Sequence, residues 1–245
     1  MTTSSREEKG IITSMQQLVE YIASFDPGFA SRIEGASPSE IERFERAAGG
    51  PFPPDYRAFL ELMGRRDDAI VVSDDVVTSA ETLADFYTES IHTGENEVPD
   101  DCISFAISGL SIEQLFLERK PPHRVFQVGD GEKGDFWAAS FRGFLYQQGF
   151  KRADRRFRTL SLFSTDNAPR HSRALQLLED LGLERLWFSD DVTLCYESPD
   201  DKILVQQIAG RHVHVQLSCR RFLRRWRLAL LFARALHLPL MPQPH

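Results

Sequence analysis

Two histidines near the end of the chain have the spacing of a partial metal site. His212 and His214 alternate with apolar residues and therefore share one face of a predicted strand. Two imidazoles on one face can begin a zinc site, with Cys195 or Cys219 as a third ligand. The sequence places no third ligand near them, so the polar face of a surface strand is the favoured interpretation, and we expect no metal.

The only glycine-rich loop with the composition of a phosphate site covers residues 129–135, with three glycines and three acids. It lacks the Gly-Lys-Ser/Thr ending of a P-loop, and its acids repel phosphate, so a hairpin turn is favoured. The chain has neither a Gly-x-Ser-x-Gly elbow nor a His-Glu-x-x-His pair. A Ser/His/Asp or Cys/His group assembled by folding stays an open alternative. We expect no catalytic residues, no cofactor and no enzymatic activity.

Residues 67–101 carry acids without a single Lys or Arg. A field of one sign can steer a basic partner and raise association rates by roughly 10 to 10³. Solubility is the alternative explanation. The acidic surface that we expect to bind a partner consists of Asp67, Asp68, Asp74, Asp75, Glu89, Glu95, Glu97, Asp100 and Asp101. Glu81 and Asp85 belong to the same run.

The charge changes sign along the chain. Residues 1–150 carry 13 Lys/Arg and 26 Asp/Glu, a balance of −13, whereas residues 151–245 carry 16 and 10, a balance of +6. This change predicts a boundary near residues 150–165.

The last predicted helix, from about residue 219 to 236, is rich in arginine and has no acid. Its basic residues are Arg220, Arg221, Arg224, Arg225, Arg227 and Arg234, and its predicted apolar stripe is Phe222, Trp226, Ala229 and Ala233. Such a helix can contact nucleic-acid phosphates or an anionic membrane. Because the whole chain has a net charge of −7, we favour a solvated face or one that pairs with the acidic first unit.

Residues 37–64 predict two short amphipathic helices joined by a Gly/Pro hinge. Ser37 is expected to cap the first in a capping box with Glu40, and Pro54 to begin the second. The apolar positions at helical spacing are Ile41, Phe44, Tyr56, Phe59, Leu60 and Met63.

This segment resembles the start of the SUKH superfamily, the Smi/Knr-type domain. In that family a helix with an Ile and a Glu leads to Gly, Leu-Pro, Asp-Tyr-Arg, a Phe-Leu pair and Asn-Gly. The matching residues here are Ile41, Glu45, Gly49, Pro53, Asp55, Tyr56, Arg57, Phe59, Leu60 and Gly64. Phe52 stands where Leu is usual, Met63 where Asn is usual, and Gly50-Pro51 lengthens the hinge. Two later strands and the Ser140–Leu145 segment extend the resemblance to roughly residues 11–150.

The resemblance implies an α+β domain over residues 11–158, in which N-terminal helices pack on a mostly antiparallel sheet. It also implies that the motif residues are structural. Residues 159–245 predict a smaller α+β unit that we assign to no family. Its expected elements are strands at 159–163, 192–196, 203–208 and 212–217 and helices from 169 and from about 219.

The resemblance further implies a non-catalytic protein-binding module. Most bacterial members look like immunity proteins of polymorphic toxin systems, which bind a cognate toxin, often a nuclease, and block its active site. An acidic surface suits a basic toxin. Three scattered cysteines, the polar N-terminus and the lack of a membrane-length apolar run predict a cytoplasmic protein without membrane contact. The alternatives are a regulatory scaffold of the Smi/Knr type and a nucleic-acid binder acting through the arginine-rich helix.

Overall fold

A computed structural model describes residues 15–71, 76–93, 98–108, 114–129, 132–164, 170–208 and 212–238. Within these ranges the chain forms eight α-helices, one 3-10 helix and two five-stranded antiparallel sheets. The predicted α+β class is therefore confirmed.

Four helices precede the first sheet: α1 (Met15–Ala23), α2 (Phe29–Arg32), α3 (Pro38–Ala47) and α4 (Pro54–Met63). Their apolar stripes are buried, as the spacing predicts; Leu18 and Ile22 of α1 and Ile41 and Phe44 of α3 have no exposed surface. Thr13, which has the spacing to Gln16 of a helix cap in the sequence, lies outside the described residues.

The first sheet has its strands in sequence order. They are β1 (Val76–Val77), β2 (Cys102–Ser108), β3 (Gln114–Glu118), β4 (Val125–Gly129) and β5 (Glu132–Ala138), with α5 (Ala80–Thr93) between β1 and β2 and α6 (Phe141–Lys151) after β5. Pairing of β4 with β5 continues to Gly129 and Glu132, which confirms the hairpin in the glycine-rich loop. Asp130 and Gly131 lie outside the described residues.

The cap of α5 differs from the one that the sequence predicts: Thr78 and Glu81 have the spacing of a capping box. The helix begins at Ala80, and the Ser79 hydroxyl accepts the Thr82 amide at 3.4 Å. The Thr78 side chain is instead hydrogen-bonded to the buried carboxylate of Asp67. A buried acceptor that needs a partner thus displaces the cap by one residue.

Aromatic rings fill the core between the N-terminal helices and the first sheet. Phe141 of α6 lies edge-to-face with Tyr56 at 5.3 Å, with Phe59 at 5.7 Å and with Phe105 at 5.3 Å between ring centroids. All four rings are fully buried or nearly so. Edge-to-face contacts of this kind add to the free energy of burial.

The second sheet belongs to the C-terminal unit. Its strands are β6 (Arg158–Phe163), β7 (Glu184–Arg185), β8 (Thr193–Glu197), β9 (Asp201–Ile208) and β10 (His212–Cys219), in the order β6-β10-β9-β8-β7. The helices α7 (Arg170–Asp180) and α8 (Phe222–Leu236) pack on one face. That face has an aliphatic core, which includes Val205, Val215 and Leu217.

The opposite face of the second sheet contacts the N-terminal unit. Cys195 and Leu204 join the first core, and the Gln147 amide donates to the Phe188 carbonyl at 2.9 Å. The ammonium of Lys202 lies over the rings of Tyr21, Phe25 and Phe150 at 5.0–5.4 Å and pairs with Glu197. A cation from β9 is therefore enclosed by aromatic rings of α1, α6 and the turn after α1.

The apolar stripe of α8 differs from the prediction. Ala229 and Ala233 are buried as expected, but Phe222 and Trp226 are exposed. The buried stripe instead centres on Leu228, Phe232 and Leu236, which contact the aliphatic face of the second sheet. The helix turns the side with Leu228, Phe232 and Leu236 toward the sheet, because these large side chains fill the space against the sheet and alanines alone do not.

Candidate protein-binding surfaces

The motif helices are held by local polar contacts. The Ser37 amide donates to Glu40 Oε2 at 2.6 Å, and the Glu40 amide donates to Ser37 Oγ at 3.4 Å, which confirms the capping box. Bonds to Arg65 and Ser37 lower the pKa of Glu40 to about 2. This carboxylate is therefore ionised over the whole physiological range, and it ties the start of α3 to Arg65.

Glu45 bridges the hinge between α3 and α4, which explains why the motif has a glutamate at this position. It accepts the Phe52 amide at 3.1 Å and the Arg57 guanidinium at 2.7 Å. Gly49 and Gly50 within the hinge have φ values of +83° and +152°, which L-residues with a side chain rarely adopt. Pro53 then caps α4.

Most of the remaining motif residues are buried. Tyr56, Phe59 and Leu60 have no exposed surface. A Cβ at Gly64 would lie 2.4 Å from the Leu60 carbonyl oxygen and 2.8 Å from the Ala36 Cβ, so only glycine fits there. Asp55 pairs with Arg142 of α6. The motif residues therefore assemble the domain and leave little surface for a partner.

Asp67 and Asp68, the first two acids of the expected binding surface, have internal partners. Asp67 is 8% exposed, and burial raises the pKa of its carboxyl group. Asp68 pairs with Arg152 and, at 2.9 Å, with Arg32. Because both carboxylates are used inside the fold, neither belongs to the surface that we consider further.

The other described acids of the run are exposed and lie on α5 and just before β2. Glu81, Asp85 and Glu89 follow one another at i, i+4 and i+8 on α5, and Asp100 and Asp101 precede β2; all five are exposed. We call these five residues the acidic ridge. The Tyr87 hydroxyl accepts the Ser104 amide at 2.7 Å, which fixes α5 to β2, the strand that Asp100 and Asp101 precede. Asp74, Asp75, Glu95 and Glu97 lie outside the described residues.

The ridge is not wholly uncompensated, because Arg43 of α3 pairs with Asp85. Both side chains are about half exposed, so solvent screens this pair and its contribution to stability is small. The linear sequence hides this contact because Arg43 lies outside residues 67–101. A salt bridge of this kind leaves the net negative charge of the ridge in place.

The arginines of the last helix differ in their partners. Arg224 Nε donates to Asp201, which is fully buried, at 2.5 Å, and Arg220 and Arg221 lie 3.9 and 3.8 Å from Asp200. Within the described part of the chain, Arg227 and Arg234 have no carboxylate within 4.0 Å.

The two histidines lie on the face of β10 that is turned toward α6. His212 Nδ1 is 3.2 Å from the Ser164 carbonyl oxygen, and His214 Nε2 is 3.2 Å from Ser161 Oγ. Burial lowers the pKa of His214 to about 4, and the Lys151 cation adds to the shift. Among the described residues, no group of three or more His, Cys, Asp or Glu side chains could hold a metal ion.

Comparison with known proteins gives one match. The model of the SMI1 / KNR4 family (SUKH-1) matches residues 35–147, which contain α3 to α5, the whole first sheet and the first part of α6. No curated protein and no solved structure matches the chain. No helix in the described ranges is long and apolar enough to cross a membrane. The match therefore identifies a domain of the SMI1 / KNR4 family (SUKH-1) at residues 35–147 of the chain.

Proposed function

We propose that this protein is a cytoplasmic immunity protein that binds and neutralises a basic protein toxin through the acidic ridge. The family domain supports a protein-binding module, since the SUKH family is generally non-catalytic. The observation that carries the proposal is the ridge itself: five exposed carboxylates on α5 and before β2.

The ridge is well placed for docking because its backbone is rigidly held. The helix α5 packs along α3, and the Tyr87–Ser104 hydrogen bond fastens it to β2. A preorganised row of carboxylates loses little entropy when a partner binds. A toxin that cleaves nucleic acid needs a basic cleft, and carboxylates spaced along a helix can occupy such a cleft in place of phosphates.

The buried cysteines are compatible with a reducing compartment. Cys102, Cys195 and Cys219 are all free thiols, and burial raises the pKa of Cys195 well above its ordinary value. Buried, protonated thiols react slowly, so the fold places no demand on an oxidising environment.

The test is co-expression with the toxin encoded beside this gene, followed by measurement of association at several salt concentrations. We expect the wild-type protein to protect cells and the triple variant Glu81→Lys, Glu89→Lys and Asp100→Lys to associate at least about tenfold more slowly at low salt. The triple variant Glu179→Lys, Asp180→Lys and Glu184→Lys is the matched control, because it makes the same charge change at exposed positions outside the ridge.

Two outcomes would overturn the proposal. One is that neither the neighbouring toxin nor any adjacent effector is bound or inhibited; binding of a host regulatory protein instead would favour the Smi/Knr-type scaffold. The other is that the triple variant associates with a confirmed toxin at the wild-type rate and changes only the dissociation rate. That result would show that the ridge does not contribute to association.

A further inference from the structure

We infer that the outer side of α8, with the groove between α8 and the end of α7, is a second docking surface whose occupant is an acidic amphipathic segment of a protein partner. This surface lies on the C-terminal unit and has the opposite charge to the acidic ridge. It therefore serves a partner different from the basic toxin.

The first observation is the apolar surface that α8 exposes. Seven large apolar side chains in the described residues are exposed, and five of them belong to this helix. Leu223 is 70% exposed, Leu230 55% and Phe222 51%, and Trp226 and Leu231 complete the set. Scattered apolar residues on a surface need no explanation, but a contiguous group on one helix marks an interaction site.

The second observation is a concave surface beside these residues. A groove of about 610 Å³ runs between the end of α7 and α8. Its apolar walls include Leu181, Leu228 and Leu231. Arg221, Arg224 and Arg227 surround them. An amphipathic helix that binds such a groove inserts apolar side chains at i, i+3, i+4 and i+7.

The third observation is the charge at the rim. Residues 222–236 contain four arginines and no acid. Arg224 Nε pairs with Asp201 Oδ2 at 2.5 Å. Arg227 and Arg234 have no carboxylate partner among the described residues. Arginine presents a planar set of donors that matches carboxylates in two-point hydrogen bonds. A partner segment with acidic side chains next to its apolar ones would supply carboxylate acceptors for these arginines.

The same observations favour a protein segment over the other polyanions. A bilayer or a nucleic acid carries negative charge over a large area and would also face the acidic N-terminal unit of a chain whose net charge is −7. A short segment needs only the local groove. The groove can also take up apolar side chains, and a phosphate backbone has no such groups to insert.

The experiment uses the full chain and a fluorescent helical peptide with Leu at i, i+3, i+4 and i+7 and Glu at the flanking positions. We expect saturable binding that weakens at least about tenfold for the double variant Leu223→Ser and Arg227→Glu. Arg46→Glu is the matched control, an exposed arginine on α3. Both variants should keep the thermal midpoint of the wild type, because neither site is buried.

A second peptide with Lys in place of Glu should bind at least about tenfold more weakly, and one with Ser in place of Leu should also lose binding. The inference is overturned if the two charge forms bind equally, or if the α8 variant binds as tightly as the control. It is also overturned if anionic vesicles or duplex DNA bind the α8 surface while the acidic peptide does not, or if the protein self-associates through α8. Loss of toxin binding by the ridge variant leaves this result unaffected, so the two proposals fail separately.

Discussion

The acidic ridge and the outer side of α8 are both exposed helical surfaces, yet they differ in how the helix is used. On α5 the exposed positions are polar and acidic, and the apolar positions Leu83, Ala84 and Tyr87 are buried. On α8 apolar side chains lie on both sides, with Phe232 inside and Leu223 outside. A helix needs only one apolar side to pack on a sheet, so the second apolar side of α8 requires another explanation.

The two units also differ in the composition of their hydrophobic cores. The N-terminal core is aromatic, and its rings contact one another edge-to-face around Phe141. The C-terminal core is mostly aliphatic. Phe141 is therefore a core residue of the first unit and Phe222 a surface residue of α8, and the same substitution should have very different effects on stability at the two positions.

The largest expected effect tests this contrast directly. Phe141→Ala removes the central ring of the aromatic core and should lower the free energy of unfolding by about 3–5 kcal/mol. Phe222→Ala, at a 51% exposed position, should change it by about 0.5 kcal/mol or less. Chemical denaturation of both variants measures the difference. Equal losses would mean that Phe222 is packed in solution and that the outer side of α8 is covered.

The next effect concerns the surface between the units. Burial and Lys151 lower the pKa of His214 to about 4, below the ordinary value of 6.5. Between these values the unfolded chain binds the proton more readily, so stability is complete above about pH 6.5 and falls as the pH drops toward about 4, by at most about 3 kcal/mol. His214→Gln should flatten the dependence of unfolding free energy on pH between about 6.5 and 5. An unchanged slope would show that His214 is not the titrating group.

The smallest effect sharpens the question of how far the two units depend on each other. Lys202→Met keeps the side-chain stem but removes the cation from the rings of Tyr21, Phe25 and Phe150, and should cost about 1–2 kcal/mol. Lys120→Met at an exposed position is the control. Because the cation links the units, we expect the transition to broaden when both units are followed separately. A loss no larger than that of the control would mean that the cage contributes nothing measurable.

Much of the fold follows from local signals in the sequence. Ser37 and Glu40 predict the start of α3, and Ile41 and Phe44 predict its buried side, because a cap and a helical period act within a few residues. The strands of the C-terminal hairpin were predicted within about two residues of their observed bounds, β9 (Asp201–Ile208) and β10 (His212–Cys219).

The errors arise where a distant group competes with a local one. Thr78 is a good cap by sequence, but the buried Asp67 takes its hydroxyl, so Ser79 caps α5. The acidic run contains no basic residue, yet Arg32, Arg43 and Arg152 reach it from elsewhere in the chain. The role of the remaining acids in binding stays a prediction.

The sequence alone determined the family motif, the class of fold and the separation of charge between the two halves of the chain. Each depends on residue type and short spacing, which folding does not change. The tertiary structure decided which charges are available: it placed Asp67 inside, paired Asp68 with two arginines and left Leu223, Leu230 and Arg227 outside. Availability depends on contacts between residues far apart in sequence, and only the packed chain defines those contacts.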